Sequence, residues 1–212
     1  VTGAQGKTVY TLTLPVPAGP LTGLRLEALR EGDKVGRSPS GNFVLTEVDA
    51  TLTPLTGGQP GAAQPLKFTE AIASRSQDGY DVKTAIDGNA TAESGNGWGI
   101  APGTGEAQTA VFTCKDAPST GGLLTVRLHQ NYVDGQHAIA RFRLGITGQA
   151  GPLVLGLPAD VGAILAVAAP QRTPDQQAVL TNYFKSHDAE RAKLTADLAA
   201  ARQPLAEDPQ LT

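Results

Sequence analysis

From residue 8 to residue 147 the chain is a series of short runs in which apolar and polar residues alternate, each stopped by a turn signal. A period of two puts one face of an extended segment in a core and the other in water, which does not suit a helix. TVYTLTL (8–14) alternates and stops at Pro15. GLRLEAL (23–29) sets Leu24, Leu26 and Ala28 against Arg25, Glu27 and Leu29. NFVLTEVDATL (42–52) reads as one long strand after Gly41. TAVFTCK (109–115), LLTVRLHQ (123–130) and AIARFRLGIT (138–147) complete the set. Six strands with no βαβ rhythm predict an antiparallel sandwich or barrel. The segment 54–65 (PLTGGQPGAAQP) reads as a loop.

Composition narrows what such a chain can do. The 25 glycines and 15 prolines fall mostly between the strands. Net charge is −3 and only 17% of residues are charged, which argues against a nucleic-acid face or a polybasic membrane binder. The apolar run VGAILAVAA (161–169) is far shorter than the ~20 residues of a membrane span. A single cysteine, Cys114, allows no intrachain disulfide, and no CxxC or CxxCH occurs. The 212 residues contain no methionine, which reads as a piece processed or cut from a longer chain.

The pattern changes at about residue 155, giving a predicted β domain over 1–155 and a helical appendage or linker over 156–212. Pro158 suits a first helical turn, and Val161, Ile164, Leu165 and Ala168 follow at helical spacing. Pro170 ends that element. Thr173-Pro174-Asp175-Gln176 predicts a helix start, with Thr173 as N-cap, proline at N1 and Gln176 closing a capping box. Val179, Leu180, Tyr183 and Phe184 form one apolar stripe. Asp188 suits a helix restart, and Leu194, Leu198, Ala201 and Leu205 form a short seam that fits packing on a neighbour.

Chemistry concentrates in AIDGNATAESGNGWGI (85–100). Asp87 and Thr91, with carbonyls near Asn89 and the carboxylate of Glu47, are oxygen donors of the kind calcium takes. The same Asp-Gly-Asn sequence equally makes an Asx turn that binds nothing. Trp98 is a flat apolar face suited to sugar stacking, or a plug at the end of the sheets. Arg37, Asn42, Tyr80, Asn131, Tyr132, Asp134 and His137 fall in or beside loops, where tyrosine and asparagine serve a polyol surface or ordinary turns. QNYVDGQH (130–137) reads as a hairpin loop around Asp134-Gly135. No catalytic set stands out. Ser74 and Ser76 lack a nucleophile-elbow setting. Cys114 reads as a buried thiol. Glu47, Glu70, Glu93 and Glu106 have no separation that sequence can supply.

AIASRSQ (71–77), then AIDGN (85–89) and Trp98, resemble the opening of galactose-binding-like, discoidin-type sandwiches. Thr91 matches their threonine position, while Trp98 is displaced by an insertion. FVLTEV (43–48) resembles their closing strand with its glutamate, but here it precedes AIDGN, an order that resembles a circular permutation. TGLRLEAL (22–29), GRSPSGNFVLTEV (36–48), AIDGN, HAIARFRLGIT (137–147) and RTPDQQAVLTNYF (172–184) together resemble the middle region of planctomycete-type multidomain c-type cytochrome proteins. The resemblance implies a jelly-roll, galactose-binding-like sandwich in a periplasmic or otherwise extracytoplasmic protein, with haem and other domains flanking it. It implies a structural calcium at Glu47, Asp87 and Thr91, to which the residue chemistry adds Asn89. It implies no haem in this chain, whose haem motif is absent. The expectation is a non-catalytic carbohydrate-binding module that takes a glycan or polysaccharide at Arg37, Tyr80, Trp98, Asn131, Tyr132 and His137. A structural interdomain module is the second expectation and an enzyme the least favoured.

Overall fold

The computed structural model describes residues 6–91, 94–157, 159–187, 191, 193–195, 197 and 198. The chain divides into two compact units, 1–155 and 156–212. The first is mainly β. Its strands are β1 (Thr8–Val16), β2 (Gly23–Leu29), β3 (Val44–Leu45), β4 (Glu47–Thr53), β5 (Leu55–Thr56) and β6 (Gln59–Pro60). They continue with β7 (Gln64–Pro65), β8 (Lys67–Ala73), β9 (Trp98–Gly99), β10 (Gln108–Lys115), β11 (Gly122–Gln130) and β12 (Arg141–Thr147).

Two antiparallel sheets carry the unit, ordered β1-β11-β4-β7 and β12-β2-β10-β8. The alternation in sequence becomes alternation in burial. Leu24, Leu26 and Ala28 of β2 are fully buried, as are Leu124, Val126 and Leu128 of β11. Val48, Ala50 and Leu52 of β4 and Ala110 and Phe112 of β10 join the same apolar cluster, so both sheets share one core. Each such leucine or phenylalanine contributes about 1.5–3 kcal/mol by leaving water. Tyr10 of β1 stacks on Phe142 of β12 with ring centroids 5.6 Å apart and ties one sheet to the other at their margins.

Four expectations change. The run 42–52 is not one strand: Val44–Leu45 pairs with Trp98–Gly99, and Glu47–Thr53 pairs with β11 in the first sheet. The segment 54–65 is not wholly loop, because it holds the short strands β5, β6 and β7. Lys67–Ala73, where alternation is weak, is a full strand on β10. Finally, 130–137 is not a hairpin loop. β11 pairs with β1 and β4, whereas β12 pairs with β2, so the chain crosses between sheets there. Local turn chemistry at Asp134-Gly135 cannot report which sheet the next strand joins.

The second unit is helical where it is described, with α1 (Ala159–Ala166), a short 3-10 turn (Ala169–Gln171) and α2 (Pro174–His187). The capping box is formed: Gln176 N donates to Thr173 Oγ1 (3.2 Å) and Thr173 N to Gln176 Oε1 (3.0 Å). Arg172 closes the C-terminus of α1 by donating to the carbonyls of Ile164 and Val167. Pro158, Asp188, Ala201 and Leu205 lie outside the described residues. No described helix is long and apolar enough to cross a membrane.

Candidate functional site

The register places Gln130 of β11 and Glu47 of β4 at one end of the first sheet, with Val16 and Gly122 at the other. At the Glu47 end several loops meet. Arg37 N donates to Ala138 O (2.8 Å), Val44 N to His137 O (2.9 Å), and Gly99 N to Tyr80 O (3.2 Å). These main-chain links draw segments far apart in sequence into one surface.

Part of that surface is aromatic. The Tyr80 and Tyr132 hydroxyls are 3.2 Å apart, with ring centroids at 6.0 Å. The Tyr132 ring meets the His137 imidazole edge-on at 4.5 Å. His137 Nδ1 lies 2.9 Å from Asp134 Oδ1. All three rings are half-buried. The Tyr132 hydroxyl, with help from the Ser94 side chain and Gly95 main chain, pulls the Tyr80 phenol below its ordinary pKa despite some burial. The hydrogen bond to Tyr80 and burial push Tyr132 up to about 12. Burial acts to raise Asp134, but the Gln136 N–H and the His137 imidazole outweigh it and hold its carboxyl below the usual range.

Beside this lies an oxygen-rich loop. Asp87 Oδ1 accepts from Asn89 N (2.9 Å), and Asn89 Oδ1 accepts from Thr91 N (3.1 Å), giving two successive Asx turns. Asn96 Nδ2 donates to the carbonyls of Asn89 (2.6 Å) and Thr91 (3.0 Å). Asn131 Nδ2 donates to Ala90 O (2.8 Å), so the loop is braced against the aromatic cluster. Gly97 follows Asn96 at φ +97°, and a Cβ there would lie 2.6 Å from Leu45 O, so the backbone needs glycine. Glu47 is 7% exposed and accepts from Gly88 N at 3.1 Å. Burial pushes its carboxyl up to about 7, against the Gly88 hydrogen bond and with the charges of Asp87 and Asp49 adding to the rise.

Among the described residues no three His, Cys, Asp or Glu side chains form a metal-holding group. A cation here would rest on Glu47, Asp87 and main-chain carbonyls. The carbonyls of Asn89 and Thr91 do converge, on the amide of Asn96. Both carbonyls accept from that amide, and the carboxylates of Glu47 and Asp87 accept from the main-chain N–H groups of Gly88 and Asn89.

The structure brings Tyr80, Tyr132 and His137 together and sets Asn131 beside them. Arg37 joins through its main chain, and its guanidinium makes no hydrogen bond or ion pair among the described residues. Trp98 must be corrected. It is fully buried, meets Phe43 edge-to-face at 5.0 Å, and donates its Nε1–H to Arg75 O (2.7 Å). A ring with no accessible face cannot stack on a ligand, so Trp98 is a plug in the core. Asn42 is likewise structural: its amide accepts from Ile100 N and donates to Gln77 Oε1. Cys114 is buried and its thiol is pushed up to about 12, so it is not a nucleophile. Ser94 and Asn96 are additions to the sequence reading. The glycines flanking Asn96 were the only local signal for it.

No family model matches the chain, and no curated protein or solved structure matches it either.

Proposed function

We propose that the β unit is a jelly-roll, galactose-binding-like sandwich that serves as a non-catalytic carbohydrate-binding module of an extracytoplasmic multidomain protein. The observation that carries this reading is the meeting of Tyr80, Tyr132 and His137 at one end of the sheets. Half-buried aromatic rings give apolar faces for the C–H side of a pyranose. Their hydroxyls, the Asp134-oriented imidazole and the Arg37 guanidinium, unpaired among the described residues, supply hydrogen bonds around the rim. The tyrosine pair takes the role expected of Trp98.

A structural calcium belongs to the same reading. Glu47, Asp87 and the carbonyls of Asn89 and Thr91 would hold it, with Asn96 turning its amide oxygen inward. Its charge would offset two neighbouring carboxylates and stiffen the loop that braces Asn131.

Affinity electrophoresis against a panel of neutral and acidic polysaccharides tests the module. The expected result is retardation on at least one polysaccharide and its loss in Tyr132→Ala, with the far-UV spectrum of the folded chain retained. Unretarded migration on every polysaccharide would overturn the reading.

A second reading, a module that positions flanking domains, is favoured by the exposure of Phe184, Leu194 and Leu198 in the helical unit. Removing 174–212 should then improve solubility, and an unchanged solubility and mass would count against it.

A further inference from the structure

Two four-stranded sheets present four edges: β1 and β7 in one sheet, β12 and β8 in the other. An unpaired edge is a template for another strand, and proteins blunt it with short strands, proline, charge or bulges. Three of these edges are blunted. β7 is two residues long and ends in Pro65. β8 starts at Lys67, carries Glu70, and is bulged where it meets Thr113 and Cys114. β12 carries Arg141 and Arg143, the latter side chain 72% exposed.

β1 has none of this along its length. It runs nine residues, pairs with β11 in unbroken register, and holds no charged residue from Thr8 to Val16. Its proline is near the far end, at 15. Among the described residues, its main chain bonds to nothing outside β11. In an antiparallel ladder alternate residues point their N–H and C=O groups away from the neighbour, so half of those of β1 are open.

We propose that the β1 edge takes a second copy of this chain, the two β1 strands pairing antiparallel about Thr11. The strand complements itself in that register. Thr11 falls opposite the partner's Thr11, and Val9 opposite the partner's Thr13. These are exposed β-branched residues that pair well across strands. On the other face Tyr10 falls opposite the partner's Leu12, and Thr8 opposite the partner's Leu14. Tyr10, Leu12 and Leu14 are half-buried at the margin of the core, so the second copy extends that core. Lys7 meets the partner's Pro15 rather than another lysine. A slip of one residue would set exposed against core-facing side chains. A slip of two in one direction would bring Pro15 into the ladder opposite Val9. The paired stretch is therefore Thr8 to Leu14, and the twofold closes two sheets into one of eight strands.

Sedimentation equilibrium of the full chain tests this, with Thr11→Lys and Thr11→Asp variants. Position 11 is exposed, so neither substitution should change the far-UV spectrum, and because Thr11 lies opposite Arg127 the Lys and Asp variants bracket any charge effect within the protomer. The wild type should approach twice the 21.8 kDa of one chain as concentration rises. Each variant sets like charges against each other at the twofold and should associate roughly tenfold more weakly or worse. An equimolar mixture of the two should recover the dimer. Thr11→Cys should give a disulfide-linked dimer under mild oxidation, since Cys114 is buried. A wild type that stays monomeric at every concentration overturns the proposal. So does a dimer that Thr11→Lys leaves intact, which would place the contact elsewhere, including on the exposed leucines of the helical unit.

Discussion

At the end of the β unit where Glu47 and Gln130 lie, loops are tied together by side chains. Asn131, Glu47, Tyr80 and Trp98 each bond to main-chain or hydroxyl partners contributed by other segments, and Asn96 ties its own loop together. At the opposite end, where Val16 and Gly122 lie, the ties are mostly main chain to main chain. Gly19 N donates to Ser119 O and Thr22 N to Thr147 O. That end encloses a hollow of about 330 Å³ lined by Val16, Pro17, Pro20, Leu21, Leu52 and Ile146. The difference teaches where function can sit on this scaffold. An end held by polar side chains presents donors and acceptors in fixed positions. An end held by main chain and proline presents an apolar dimple.

If the side-chain ties hold the Glu47 end, substitutions there should cost most. Trp98→Ala removes a fully buried ring and its bond to Arg75 O, and should cost about 3–5 kcal/mol in a urea unfolding series. A cost below about 1 kcal/mol would mean the ring is not the plug described. Asn96→Ala leaves two carbonyls without their donor and should cost about 1–3 kcal/mol, with faster proteolysis within 87–97.

Glu47 sharpens the comparison through pH. Its folded pKa, about 7, lies above that of an unfolded glutamic acid, so the folded chain holds a proton that the unfolded chain releases. Below the unfolded value both states are protonated and nothing is lost. Stability is lost as pH rises from about 4.5 towards 7, by roughly 1–3 kcal/mol, and stays lost above. Glu47→Gln should flatten that slope in melting temperatures taken across the range. Saturating calcium should restore stability at neutral pH if the loop holds the ion, and chelation should then remove it again. No response to either would take calcium out of the reading.

The smallest effect belongs to the other end. Thr22→Val deletes hydroxyl bonds from a half-buried side chain to the carbonyls of Thr147 and Gln149 and should cost about 1 kcal/mol or less. A larger loss there than for Asn96→Ala would reverse the contrast between the ends.

Much of the β unit was legible locally. The alternation in β1, β2, β4 and β11 mapped onto burial because each strand has one face on a shared core, whereas Val111 of β10 is buried beside Ala110 and Phe112, and Ile146 of β12 is exposed. The capping box of α2 was legible for the same reason, since its donors and acceptors lie within four residues. β8 was missed because only Ala71 of its seven residues is buried, so its pattern carries little signal. Of the site, the loop residues were identifiable by type, but their partners were not. Tyr80 and Tyr132 are separated by 52 positions, and Asn131 and Ala90 by 41. Trp98 was ambiguous because a glycine-rich flank suits an exposed ring and a buried one equally.

By itself the sequence determined which segments extend, which face each turns inward, and where the β pattern yields to helix. Those outcomes depend on side-chain periodicity and on caps that act over a few residues. Only the tertiary structure decided that 130–137 crosses between sheets, that Trp98 faces the core, and that two tyrosines from separate loops meet beside His137. These depend on which distant strands share backbone hydrogen bonds, and no local pattern records that choice.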